Sequence, residues 1–268
     1  MSNLLIGGSS LMADAVINSV STEVAALPSE NVLNEQPSRV WRTTSDTTQQ
    51  IIVDLGALTT VNVNFAALLW TNLTTAASIR CRFGPTLVSI GGGTPTFDSG
   101  TITPITQAQV DMGRQHYVGF DTDGGAVTRY LKFEISDAAN PDGYIQAGRI
   151  LLGNAWQPAI NMQYGNAFGF VDKSRKTRSL GSRLSTLHIP AYLEADFTLG
   201  FQSEAEMMDS ALPLDHDINA KLDMVYVSDP ASTYKHGSII HGKMSKLSPI
   251  VNPRYGIYQK KYNVEEMI

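Results

Sequence analysis

The sequence contains a single cysteine, Cys81, in 268 residues, so no internal disulfide can form and packing alone must hold the fold. That fits a reducing compartment such as a cytoplasm, or indifference to redox. Charge is also scarce, at 17% of residues, and no lysine-rich or acidic tract occurs. The net charge of −5 has the wrong sign for a protein held to nucleic acid by phosphate contacts. No apolar run approaches the roughly 18 residues needed to span a bilayer, so membrane insertion is not expected. The N-terminal stretch lacks the basic n-region of a signal peptide. No internal repeat or heptad pattern is present.

What the sequence does have is apolar content of 43%, enough to bury a core, together with 22 glycines and 12 prolines. Its charge is unevenly placed. Residues 1–150 carry 8 basic and 13 acidic side chains, whereas residues 151–268 carry 12 of each. A junction at Gly153-Asn154-Ala155-Trp156-Gln157-Pro158 is therefore the expected boundary, dividing the chain into 1–153 and 154–268.

The apolar period in the first half is two. Residues 129–135 place Leu131, Phe133 and Ile135 on one face and Tyr130, Lys132 and Glu134 on the other, the pattern of a half-buried antiparallel strand. Residues 50–56 and 61–70 read as further strands. Glycine-rich turns at 91–93, 121–125 and 140–143 separate such runs, the spacing of a sandwich or barrel. In the second half, strands are expected near 188–201, 223–228, 238–244 and 255–264. One short helix is signalled at Ser203, which can cap the first turn while Glu206 returns the bond, with Met207, Met208 and Leu212 as the apolar face.

Catalytic signals are weak. Gly237 to Lys243 has the spacing of a phosphate-binding loop, but Met244 stands where a magnesium-holding Ser or Thr is needed, and no long helix can follow. Asp215-His216-Asp217 is a dense metal-ligand cluster that reads better as a solvated turn after Pro213. His236 and His241, five apart on a strand, point to opposite faces. Loop calcium at Asp121, Asp123 or backbone carbonyls is the more credible metal option. Cys81 reads as a small buried hydrophobe, and no nucleophile elbow occurs. The expectation is a protein that is not an enzyme and needs no cofactor.

Two features suggest binding instead. Lys173, Arg175, Lys176, Arg178 and Arg183 form the densest charge in the chain. Without interleaved aromatics to stack bases, they read as a solvated loop or hairpin flank, or as a contact between subunits. Trp70 with Asn72, and Trp41 with Arg42, stand where strands end. There a flat ring can stack on a sugar while polar neighbours fix its hydroxyls. Trp41 reads as core. Trp70, Asn72 and Arg42 are the candidate ligand-binding residues.

The order Asn3-Leu-Leu, Trp41-Arg-Thr, Gln50-Ile-Ile-Val-Asp-Leu-Gly56 and Ala126-Val-Thr-Arg-Tyr-Leu-Lys-Phe-Glu-Ile135 resembles the discoidin, or factor 5/8 C-terminal, group of galactose-binding-like domains over residues 1–153. The resemblance implies a jelly-roll sandwich binding glycans, lipids or proteins through loops at one end, although the disulfide of that group cannot form here. Residues 140–153, Trp156-Gln-Pro, Gly169-Phe-Val-Asp-Lys-Ser-Arg175 and Leu199-Gly-Phe-Gln-Ser-Glu-Ala-Glu206 resemble minor tail proteins of tailed bacteriophages.

Together these readings predict a mainly β chain: an N-terminal jelly-roll sandwich, then a second β-rich domain with one short helix. The implied role is a virion component of a tail tip or baseplate, made in the host cytoplasm and assembled with other tail proteins as a homo-oligomeric ring. Segment 173–183 would lie at the subunit contact, and the acidic sandwich would face outward, able to touch host-surface glycans. The alternative is a stand-alone carbohydrate-binding module.

Overall fold

The computed structural model describes residues 3–56, 62–121, 125–232 and 234–268. The chain is mainly β. In the first half, a five-stranded antiparallel sheet runs in the order Val16–Val20, Gln49–Asp54, Tyr130–Ser136, Ser78–Gly84 and Phe97–Asp98. A three-stranded sheet of Arg149–Gly153, Phe65–Thr71 and Gln115–Phe120 packs on it. The alternation at 129–135 works as expected: Leu131, Phe133 and Ile135 enter the core, and Phe133 meets Tyr117 of the other sheet edge-on at 6.1 Å. Cys81 is buried there, and burial pushes its thiol well above the usual range.

Two short helices in this half, Leu87–Gly91 and Gln107–Met112, carried no apolar stripe to betray them. Each is opened by a threonine, Thr86 or Thr106, whose hydroxyl accepts the backbone N–H three residues on.

In the second half an eight-stranded sheet runs Ala155–Trp156, Leu5–Gly8, Met224–Val227, Ile239–Met244, Ile257–Glu266, Tyr192–Gln202 and Ala167–Val171, with Val251–Arg254 paired to Ile257–Glu266. Gly242, the second glycine of the phosphate-loop spacing, lies inside a strand, and a Cβ on it would run into the Glu265 carbonyl. The helix predicted at Ser203 forms and continues through Met207–Ala211, a π-helical turn, into Leu212–Ile218. Ser203 caps it, its hydroxyl accepting the Glu206 N–H at 3.1 Å. Glu206 does not return the bond; its carboxylate accepts the indole N–H of Trp156 at 2.7 Å.

The N-terminal strand crosses the boundary expected at 153/154. Leu5–Gly8 pairs with Ala155–Trp156 on one side and with Met224–Val227 on the other. Side chains in this sheet alternate between two cores. Leu5, Val225, Val227 and Ile239 join the core of the sandwich, whereas Leu4, Ile6, Met224, Tyr226 and Ile240 pack under the helix. The three-stranded sheet of the sandwich is thus covered on both faces, which is why its strands read as Phe65-Ala-Ala-Leu-Leu and Ile150-Leu-Leu rather than alternating.

The layers meet at Gly7, where a Cβ would lie 2.5 Å from the Phe65 ring. That ring is wholly buried and has nowhere to go. Gly7→Ala is expected to cost about 1–3 kcal/mol through overpacking. Thermal unfolding checks this, and an unchanged midpoint would mean that the ring can give way.

Candidate functional site

The residues singled out by the sequence fall in three places. The first is a half-exposed shelf at one end of the sandwich, where Trp41–Arg42 pairs with Gln146–Ala147. Arg42 lays its guanidinium 4.1 Å above the Tyr144 ring and donates from Nη2 to Gln146 Oε1 at 3.0 Å. Its Nε is buried without a hydrogen-bond partner among the described residues. Asn72 joins the same shelf. Its amide donates to Asp142 Oδ2 at 2.9 Å and to the Tyr144 carbonyl at 3.0 Å, and its Oδ1 accepts the Gln146 N–H at 2.8 Å. Asn72 therefore spends its polar atoms holding the 142–146 loop, and the stacked Arg42–Tyr144 pair is what it presents. Tyr144 was missed from sequence; an aromatic directly after the Asn140-Pro-Asp-Gly143 turn was the available signal.

Trp70 is not on this shelf. The strand pairing slips between Leu68 and Thr71, and Trp70 takes a left-handed φ of 56°, which turns its side chain the other way. The ring packs edge-on to His116 at 4.7 Å, and its N–H donates to His241 Nδ1 at 2.9 Å. A half-buried indole committed in this way gives no open platform for a sugar. Trp41 is fully buried, its N–H reaching the Thr22 carbonyl at 3.3 Å.

Trp70 leads instead to the second place, a buried polar network between the halves. His241 Nε2 lies 2.9 Å from Asp223 Oδ2, and Arg149 grips the same carboxylate with Nε at 2.8 Å and Nη2 at 3.0 Å. Because an indole N–H only donates, His241 Nδ1 must accept, and Nε2 carries the proton toward Asp223. Burial alone would push the Asp223 carboxyl up, but the hydrogen bonds from His241 and Arg149 hold it well below the usual carboxylate range. His116 accepts the Trp70 backbone N–H on Nδ1 at 3.1 Å. Burial, and then the neighbouring His241 and Arg114, press its pKa down to about 3. Nearby, Arg114 makes a second bridge, to Glu266, at 2.8 and 2.9 Å. These groups have no common spacing in sequence. The available signal was a polar residue embedded in apolar neighbours, as at Arg149-Ile-Leu-Leu and Ile239-Ile-His241.

The third place is an arm. Arg175–Arg178 and Leu184–Leu187 form a hairpin whose eight strand residues are all exposed. It springs from Ala167–Val171, an edge strand of the large sheet that presents Phe168 and Phe170 to the surface. The register pairs Arg175 with Leu187 and Arg178 with Leu184, so cations and leucines occupy both faces. Lys173 sits at the base, 4.8 Å from the Tyr192 ring. Among the described residues no carboxylate forms an ion pair with Arg175, Lys176, Arg178 or Arg183.

The metal expectations resolve differently. Asp215-His216-Asp217 is not a solvated turn. Pro213 opens the Leu212–Ile218 helix, Asp215 is buried, and its carboxylate pairs with the buried Lys260. Asp123 and the side chain of His236 lie outside the described residues, as does Val61 of the expected 61–70 strand; Asp121 lines a cleft described below.

No family model matches the chain, and no curated protein matches it. Solved structures do. A chitosan-binding module from a chitosanase/glucanase of Paenibacillus sp. IK-5 is 16% identical, with 53% of this chain covering 96% of that one at a TM-score of 0.39. CBM32-3 from a family 31 glycoside hydrolase of Clostridium perfringens is 13% identical, with 53% of this chain covering 92% of it, also at 0.39. Reduced XRCC1, solved bound to the DNA pol beta catalytic domain, is 13% identical, with 52% of this chain covering 95% of that one at 0.39.

Proposed function

We propose that this chain is a non-catalytic structural component of the tail tip or baseplate of a tailed bacteriophage, which assembles with copies of itself into a ring. The observation that carries the assembly reading is the 173–187 arm. An isolated two-stranded ribbon is at best marginally stable in water, and this one buries none of its strand residues. Five cations, three exposed leucines (Leu180, Leu184 and Leu187) and an apolar edge strand at its root are what a contact between subunits requires. The tail context rests on the resemblance of residues 140–153, 156–158, 169–175 and 199–206 to minor tail proteins. In this reading the acidic sandwich faces outward. Its Arg42–Tyr144 shelf would offer a flat, hydrogen-bonding surface to host glycans, and multiple copies would compensate for weak single-site binding.

Light scattering after size exclusion, with electron microscopy of the peak, tests the assembly. The full chain is expected to form closed oligomers. Replacing residues 174–188 with a short glycine-serine turn is expected to leave monomers with an unchanged melting midpoint, since the arm contributes nothing to either core. A full-length chain that stays monomeric at every concentration and binds sugar through the shelf would favour the stand-alone carbohydrate-binding module instead.

A further inference from the structure

The two ends of the strand order in the large sheet carry opposite chemistry. At the Ala167–Val171 edge the arm projects, with Lys173, Arg175, Lys176, Arg178 and Arg183 and not one acidic residue between Lys173 and Leu187. At the opposite edge, Ala155–Trp156 borders a cleft of about 540 Å³ between the sandwich, the sheet and the helix. Among the described residues its walls hold Phe120, Trp156 and Leu214 and three aspartates, Asp121, Asp209 and Asp217, and no lysine, arginine or histidine. Asp209 and Asp217 are exposed at its rim, and Asp217 lies 3.0 Å from the ring of the neighbouring His216.

We infer that this acidic cleft is the receptor for the basic arm of a second copy of the chain. The inference rests on the assembly reading and supplies its missing half. Three observations favour a second copy over any other occupant. The signs are complementary within one sequence, cations on the arm and carboxylates in the cleft. The chemistry is matched too, since the fully exposed Leu180 at the arm's tip needs an apolar seat and the cleft offers aromatic and aliphatic walls. Finally, arm and cleft stand at opposite edges of one eight-stranded sheet, so a chain cannot place its own arm in its own cleft. A leg of about eight residues reaches roughly 25 Å at strand spacing, which carries the tip well beyond its own edge. A donor on one edge and a receptor on the other make a heterologous contact, the kind that closes into a ring when the rotation per subunit permits.

Charge reversal on the intact chain tests this. Asp209→Lys with Asp217→Lys alters only exposed positions, as does Arg175→Glu with Lys176→Glu and Arg178→Glu. Each set alone is expected to abolish the oligomer peak in light scattering. Uniting both sets in one chain should restore it, and wild-type association should weaken as salt rises. If the cleft set associates like wild type while the arm set does not, this inference fails and the assembly reading stands. If wild type never associates, both fail. If the arm set loses affinity for a duplex DNA fragment rather than for itself, the arm belongs to nucleic acid and the cleft has another use. Unfolding midpoints equal to wild type keep each result from being a folding defect.

Discussion

Asp223→Ala is expected to destabilise the protein by about 3–5 kcal/mol, the cost of leaving a buried charge without its partner. Asp223 is fully buried, and so is the Arg149 guanidinium that it neutralises. Removing the carboxylate strands that cation in a site where water cannot replace the lost bonds. It also takes away the acceptor for His241 Nε2, whose other nitrogen holds the Trp70 indole. The damage therefore spreads across the contact between the sandwich and the large sheet rather than staying at one side chain. At roughly 2–4 °C per kcal/mol for a chain of this size, the melting midpoint should fall by about 10 °C. Asp223→Asn keeps the shape and loses the charge, so it should fall between wild type and alanine. A midpoint within about 2 °C of wild type for alanine would overturn this account. Replacing Arg149 and Asp223 together by methionine and leucine should recover much of the loss, because no ion is then left unpaired.

Stability should also fall steeply with acid, beginning near neutrality rather than near the carboxylate range. His116 has its pKa pressed from 6.5 to about 3 by burial. The folded state therefore refuses a proton that the unfolded chain accepts. The corresponding stability is complete above pH 6.5 and is lost as pH falls from there toward 3, at about 1.4 kcal/mol per pH unit. Asp223 adds to the loss only below its unfolded value of 3.8, since its folded pKa is depressed as well. Glu134, where burial is outweighed by Lys132 and Arg82 so that the carboxyl is likewise held down, adds its own loss below 4.5. The stretch between pH 6 and 5 is therefore where the histidine dominates. Chemical denaturation across that range should show the slope in wild type and a flatter profile in His116→Asn, whose side-chain carbonyl can still accept the Trp70 N–H. An undiminished slope in the variant would assign the acid sensitivity to groups other than His116.

The strands were legible because their patterns are local. Residues 129–135 alternate cleanly and form Tyr130–Ser136, and the four strands expected after residue 188 appear as Tyr192–Gln202, Met224–Val227, Ile239–Met244 and Ile257–Glu266. The basic cluster, open in sequence between a solvated loop, a hairpin flank and a subunit contact, lies on and beside a hairpin. What escaped was set by residues far apart in the chain. Trp70 looks like a strand-end aromatic beside a polar turn; only the slipped register and its positive φ reveal that it faces inward. Asp215 looks solvated beside His216 and Asp217, and nothing within several residues announces Lys260. Leu4-Leu5-Ile6 is apolar on both faces, which says that it is buried but not by whom.

That last strand also orders events during synthesis. Leu5–Gly8 leaves the ribosome before the strands it pairs with, and its neighbour across the sheet, Met224–Val227, is made some 220 residues later. At 5–20 residues per second the interval is roughly 10–45 s. Throughout it, three consecutive apolar side chains and an unpaired strand edge are exposed to whatever else the cell is folding. The sandwich can close meanwhile, but the cover on its three-stranded sheet arrives only with the last quarter of the chain. A message cut short before residue 224 would therefore yield a product with its interior open to solvent, and chaperones and proteases would be the first to meet it.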